Sequence, residues 1–161
     1  FAREVLPKVR EQMPDVRVKI IGRNPPASIR ALAADLAIEV TGTVPEVQPH
    51  VHGCRVIAVP LLAGGGTRIK IFEAMAMGVP VISTTIGAEG LPVRHGEEIE
   101  IADDAESFAQ GTLNLLADAA AAARMASNAR ELMEQRFSWR FAASKFVELC
   151  QQAMDHQQRP S

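Results

Sequence analysis

The chain has 161 residues and a mass of 17.4 kDa, the size of one domain built on a single hydrophobic core. Apolar residues at 47% and charged residues at 22% exclude long disorder, and a net charge of −2 with a pI near 6.1 excludes the basic surplus of a nucleic-acid binder. No apolar run approaches the roughly 20 residues of a membrane span, no cleavable signal pattern opens the chain, and Cys54 and Cys150 match neither a metal spacing nor a disulfide framework, which suits a reducing compartment.

Phe1, Val5, Leu6, Val9 and Met13 form the stripe of an amphipathic helix that opens the chain without a start signal, as expected of a piece of something larger. Pro14-Asp15 stops it. The alternating run 16–21 predicts a strand closed by Gly22, Asn24-Pro25-Pro26 a turn, and Ala27 to Leu36 a short helix. Residues 38–41 predict a second strand ending at Gly42-Thr43-Val44-Pro45, then a weak helical turn from Glu46 to Gly53. The mostly apolar run 55–59 predicts a buried third strand. A glycine-rich turn leads to a helix over Arg68 to Met77, ended by Gly78-Val79-Pro80. Strands follow at 81–83 and 99–101, with loop between Gly87 and His95. Ala105 to Gln135 predicts helix broken near Asp118, Trp139 to Met154 predicts a last helix with Ala142, Phe146, Leu149 and Cys150 on one stripe, and 156–161 a frayed tail. This alternation predicts an α/β fold: a Rossmann-like parallel sheet with helices on both faces.

Open parallel sheets bind ligands at the carboxyl ends of their strands. The most informative of those loops is Gly64-Gly65-Gly66-Thr67-Arg68-Ile69-Lys70. Adjacent glycines let backbone approach a ligand closely, and Thr67 is placed to cap the next helix. That helix start offers free N–H groups and a positive dipole end, and it carries Arg68 and Lys70 where acidic residues are the usual stabilising choice. The combination suits a phosphate. It lacks the Gly-x-Gly-x-x-Gly spacing of dinucleotide binding and the Gly-Lys-Ser/Thr ending of a P-loop. Glu73 has two readings: an i, i+3 ion pair with Lys70, or a carboxylate accepting from two vicinal hydroxyls such as those of a ribose.

The segment Glu73-Ala-Met-Ala-Met-Gly-Val-Pro-Val-Ile-Ser-Thr84, with Thr85-Ile86-Gly87-Ala88-Glu89-Gly90-Leu91 after it, resembles the signature of the C-terminal domain of GT-B retaining glycosyltransferases. Val40-Thr41-Gly42-Thr43-Val44 and the stretch from Gly96 to Ala109 are similar to further parts of that pattern. The resemblance implies a nucleotide-sugar-binding domain over 1–155, the donor half of a two-domain enzyme. Glu73 matches the glutamate that binds ribose hydroxyls. Gly64, Gly65, Gly66 and Thr67 match the loop that meets the donor sugar and diphosphate. Val44 and Glu46 match the loop that reads the base edge. Arg68 or Lys70 is expected to contact the diphosphate. Glu89 and Arg23 are secondary candidates.

The family pattern has Glu, seven residues, then Glu; Gly65 stands where the first glutamate belongs, so its donor-sugar contact is lost or replaced. The family's first strand of this domain and its basic residues are expected before Phe1. The implied reaction is glycosyl transfer from a UDP-, GDP- or ADP-sugar to an acceptor hydroxyl with retention. No cofactor is implied, the substrate being the nucleotide sugar itself, and no metal is needed if helix dipole and cations neutralise the diphosphate; the chain has no Asp-x-Asp motif. No catalytic residue is identified in this half, acceptor binding falls to an N-terminal domain, and the chain alone is expected to be inactive. The resemblance also implies a cytoplasmic parent and leaves open contact with the inner face of a membrane. Two other readings stand beside it: a sugar-nucleotide epimerase of the same fold, and a non-catalytic nucleotide-sensing domain. His50, His52 and His95 read as surface or loop residues. Phe137, Trp139, Phe141 and Phe146 read as core or as a docking face.

Overall fold

The computed structural model describes residues 1–66 and 68–157. In chain order its elements are α1 (Leu6–Gln12), β1 (Lys19–Ile21), α2 (Ala27–Asp35), β2 (Glu39–Gly42), α3 (Gln48–His52), β3 (Ile57–Val59), α4 (Ile69–Ala76), β4 (Val81–Ser83), α5 (Thr85–Ala88), β5 (Glu100–Ile101), α6 (Ala105–Ala117), α7 (Ala119–Arg136) and α8 (Trp139–Gln157). The predicted order of helices and strands is kept. The helix expected from Phe1 starts instead at Leu6, with Pro7 in its first turn, where a missing N–H costs nothing. Its predicted stripe is correct: Val5, Leu6 and Val9 are buried, and Phe1 and Met13 pack beside them. The break near Asp118 has a physical cause. Its carboxylate accepts from the N–H groups of Ala120 and Ala121, so one residue ends α6 and caps α7. The loop expected from Gly87 opens instead with the short helix α5, capped by Thr84. Of the tail expected over 156–161, His156 and Gln157 close α8 and 158–161 lie outside the described residues.

All paired strands are parallel, but the single sheet that the alternation suggests is in two pieces. β1 pairs with β2, and β3–β4–β5 form a separate ladder. Among the described residues no strand lies against the second edge of β1 or of β3, so the two pieces share no hydrogen-bonded edge.

β4 is the centre of the core. Val81, Ile82 and Ser83 are all fully buried. Successive strand residues face opposite sides of a sheet, and here they join different clusters. Ile82 packs with Val5, Val9, Phe108, Leu113 and Met125 from α1, α6 and α7. Val81 packs with Ile71, Ala74 and Met75 from α4 and with Ala129 and Met133 from α7. Helices therefore cover both faces of this ladder. α6 comes close enough to β4 that a Cβ at Gly111 would stand 2.8 Å from Ile82 Cδ1. α8 differs from every other long helix. It touches α7, yet Trp139, Phe146, Val147, Leu149 and Met154 face solvent, and Trp139 is 91% exposed. Phe137 and Phe141 do find partial cover, Phe137 against Phe72 at 4.6 Å between ring centroids.

Candidate functional site at the ends of β3 and β4

The parallel ladder brings the exits of β3 and β4 side by side, so the glycine loop after β3 faces the loop after β4. In the glycine loop, Gly64 has φ +134° and Gly66 φ +104°, conformations that an L side chain rarely adopts. Ideal Cβ atoms at Gly64, Gly65 and Gly66 would meet nothing within 4 Å, so the space on their side-chain side is open. Thr67, the expected cap, lies outside the described residues. The helix the loop leads into carries no acidic residue in its first turn. Its position N-terminal to Ile69 is occupied by Arg68, which provides no side-chain cap, and both Ile71 N–H and Phe72 N–H donate to Arg68 C=O. The first turn of α4 directs its positive dipole end toward the glycine loop, with the Ile71 and Phe72 N–H groups already used by Arg68 C=O.

Arg68 and Lys70, adjacent in the sequence argument, separate in space. Lys70 is exposed. The Arg68 side chain is only 8% exposed and turns inward. Its Nη2 donates to Gly64 C=O at 3.0 Å and to Ile86 C=O at 2.8 Å. Glu89 Oε2 stands 3.7 Å from the same nitrogen, too far for a good hydrogen bond, and Arg68 Nε is buried without a partner. Glu89 itself is largely exposed. Its carboxylate therefore neutralises a buried cation only loosely.

Glu73 is exposed on α4, whose inner side carries Ile71, Ala74 and Met75. The ion pair with Lys70 that its spacing allows is not formed among the described residues.

Sequence reasoning passed over the groups that hold the two loops together. Ser83 Oγ donates to Val59 C=O at 3.2 Å, and Thr84 Oγ1 donates to Leu61 C=O while accepting from Gly87 N–H at 3.0 Å. Gly87 is required here: a Cβ would lie 2.2 Å from Ser83 Oγ and 3.1 Å from Val59 C=O. Asp103, just past β5, accepts from Thr85 N–H and Thr85 Oγ1, both at 2.7 Å. Those bonds from the Thr85 hydroxyl and then its N–H hold the Asp103 carboxyl below its ordinary value. The available signal was a Ser-Thr-Thr run leaving one strand and an Asp leaving the next.

The remaining candidates lie on the β1–β2 unit. Val44 is half-buried, and Glu46 and Arg23 are exposed. A hollow of about 340 Å³ at the ends of β1 and β2 is lined by Asn24, Arg30, Thr41 and Gly42. A larger hollow of about 580 Å³ lies elsewhere, between the Gly96 turn and the α6–α7 junction. Of the histidines, His95 has a structural partner: its Nδ1 accepts from Ile101 N–H at 3.0 Å.

The family model described as glycosyl transferases group 1 matches residues 1–118. A GDP-mannose-dependent alpha-(1-6)-phosphatidylinositol monomannoside mannosyltransferase of Mycolicibacterium smegmatis is 28% identical over 159 residues, covering 89% of this chain and 42% of that protein. Anabaena Alr3699/HepE in complex with UDP-glucose superposes with a TM-score of 0.76 at 19% identity, over 92% of this chain and 44% of that one. The C-terminal domain of the glycosyl transferase group 1 family protein LpcC from Francisella tularensis superposes with a TM-score of 0.69 at 18% identity, over 84% of this chain and 77% of that one. The chain spans about two fifths of the length of the curated relatives it matches. With the family pattern covering most of its length and the GT-B architecture shared with solved structures, this chain belongs to the glycosyl transferases group 1 family.

Proposed function

We propose that this chain is the donor half of a retaining glycosyltransferase, gripping a nucleoside diphosphate sugar while the glycosyl group passes to an acceptor hydroxyl. The observation that carries the reading is the open glycine loop leading into the first turn of α4, with Gly64 and Gly66 at positive φ and no acidic residue in that turn. Such a turn stabilises an anion through a dipole worth about 0.3–2 kcal/mol. Lys70 adds a mobile positive charge at the same end. As the glycosyl bond breaks, charge grows on the departing diphosphate, and donors already in place stabilise it without reorganisation. This chemistry needs neither a metal nor a cofactor. Glu73, exposed farther along α4, accepts from the ribose hydroxyls, and the loop of Val44 and Glu46 faces the base. The names of relatives carrying GDP-mannose and UDP-glucose support a nucleotide sugar as ligand.

The same reading assigns the rest of the machine. Residues 1–155 form the donor domain, and an N-terminal domain of the parent chain binds the acceptor. The apolar stripe of α8 is covered by the other domain. The parent acts in the cytoplasm, at the inner face of the membrane when its acceptor is lipid-linked.

Calorimetric titration with UDP, GDP, ADP and inorganic phosphate tests the grip. One nucleoside diphosphate is expected to bind, and Glu73→Ala is expected to weaken it by about tenfold, in line with losing two hydrogen bonds to a charged group, while phosphate binding stays unchanged. Equal losses for both ligands would remove the ribose role. Sugar transfer by this chain without a second domain would overturn the division of labour. Donor binding by a full-length parent that transfers nothing would favour a nucleotide-sensing domain, a reading to which Gly65 in place of the family glutamate lends support.

A further inference from the structure

We propose that Arg68 is a positioning residue: its guanidinium straps the glycine loop to the loop after β4, acting through backbone carbonyls and not as a free cation offered to the ligand. The proposal rests on the donor-binding reading above and names what keeps that site in shape. The glycines at 64–66 carry no side chain and have no neighbour where one would stand, so side-chain packing does not hold them. A backbone so free would lose much entropy on ordering around a ligand. Among the described residues, the contacts that cross from this loop to its neighbour are few and specific. Thr84 Oγ1 reaches Leu61 C=O near the start of the loop, and Arg68 Nη2 reaches Gly64 C=O in its middle and Ile86 C=O on the far side. One planar guanidinium thus spans two loops 18 residues apart in sequence.

Burial separates this role from that of an ordinary phosphate-binding cation. The Arg68 side chain is 8% exposed and its Nε is enclosed, so it presents little of itself to a ligand in the crevice. A buried cation is retained at a desolvation cost, and Glu89 at 3.7 Å offsets that cost poorly. The carbonyls of Gly64 and Ile86 therefore define where the side chain must lie. Lysine would keep the charge, but its ammonium ends at the position of Cζ, one bond short of the Nη2 that makes both contacts, and so loses the geometry.

The test uses the full-length protein with Arg68→Lys, Arg68→Ala and Glu89→Gln. Backbone hydrogen exchange is followed at Leu61 and over 85–89, where N–H groups are hydrogen-bonded, with α6 as the internal control for an intact fold. Titrations use nucleoside diphosphate and nucleoside monophosphate of the same base. Both Arg68 variants are expected to speed exchange in the two loops by about tenfold while α6 stays protected, because only a local opening is made cheaper. Both are expected to weaken the diphosphate by about tenfold and the monophosphate by less than about twofold, a split that general destabilisation would not produce. Glu89→Gln, which leaves the carbonyl contacts in place, is expected to keep the loops protected. Unchanged loop exchange in Arg68→Lys would overturn the proposal, as would full diphosphate affinity in that variant, which would mark Arg68 as a direct ionic contact. If Arg68→Ala does not fold, Arg68→Lys decides. If the unaltered protein binds neither nucleotide, the donor-binding reading fails and loop exchange still decides whether Arg68 is the strap.

Discussion

The β1–β2 unit and the β3–β4–β5 ladder are written in the same local code, short β-branched strands followed by glycine turns, yet they are built to different standards. β4 is buried at every position, while β1 and β2 hold their residues exposed or half-buried. Side chains tie the exits of β3 and β4 together through Ser83, Thr84 and Arg68. The corresponding link across β1 and β2 is a partly exposed ion pair between register partners Lys19 and Glu39 at 3.1 Å. A strand is stabilised by what covers its faces and edges, not by its own propensity. The comparison teaches that β4 carries the packed core and that side chains tie the exits of β3 and β4 together, while the β1–β2 unit is only lightly covered.

The sharpest way to break that comparison is to remove equal volumes from both units. Ile82→Ala, at a fully buried position between α1, α6 and α7, is expected to cost about 2–5 kcal/mol in urea unfolding. Ile20→Ala in half-buried β1 is expected to cost about 1 kcal/mol. Equal losses would show the two units to be equally essential to the core. Next in size is Gly87→Ala. Its Cβ would collide with buried Ser83 Oγ and backbone at Val59, and about 1–3 kcal/mol of overpacking strain is expected, with weakened diphosphate binding beside it. A wild-type melting temperature in that variant would mean that the two loops are not locked together.

The acid limb of stability gives a smaller effect confined to the ladder. Asp103, held below its ordinary 3.8 by Thr85, stabilises the fold above that value and loses the contribution as pH falls through its depressed pKa. Asp103→Asn should therefore lower stability at neutral pH and flatten the loss below about pH 4, read from thermal melts at stepped pH. An unaltered pH profile would show that the Thr85 contacts contribute nothing to folding. The smallest effect is expected across β1 and β2, where Lys19→Ala should cost no more than about 0.5 kcal/mol and vanish at high salt. A larger loss would make that pair a true tie.

Much of the molecule was legible in the residues. The order of elements followed from hydrophobic periodicity, and the α6–α7 break followed from Asp118. Gly64 and Gly66 adopt positive φ, a conformation that glycine takes without strain. Boundaries were less legible: the expected strand over 55–59 pairs only from Ile57 to Val59, because pairing ends where the neighbouring strand ends. Arg68 and Lys70 read as equivalent cations, yet one is buried against carbonyls and the other is exposed. The aromatic stripe of α8 read equally as core or as a docking face, and its exposure excludes Trp139 and Phe146 from this chain's core.

By itself the sequence determined what depends on near neighbours: the order of helices and strands, a cap such as Asp118, which turns take glycine, and the motif that marks the family. Tertiary structure alone decided which side chains meet across distance. Ser83 reaches Val59 across 24 residues and Arg68 reaches Ile86 across 18. Whether a charge is buried or a strand edge is filled also depends on elements remote in sequence. Hydrogen bonds and apolar burial act over a few ångströms of space, and only folding turns distance along the chain into contact.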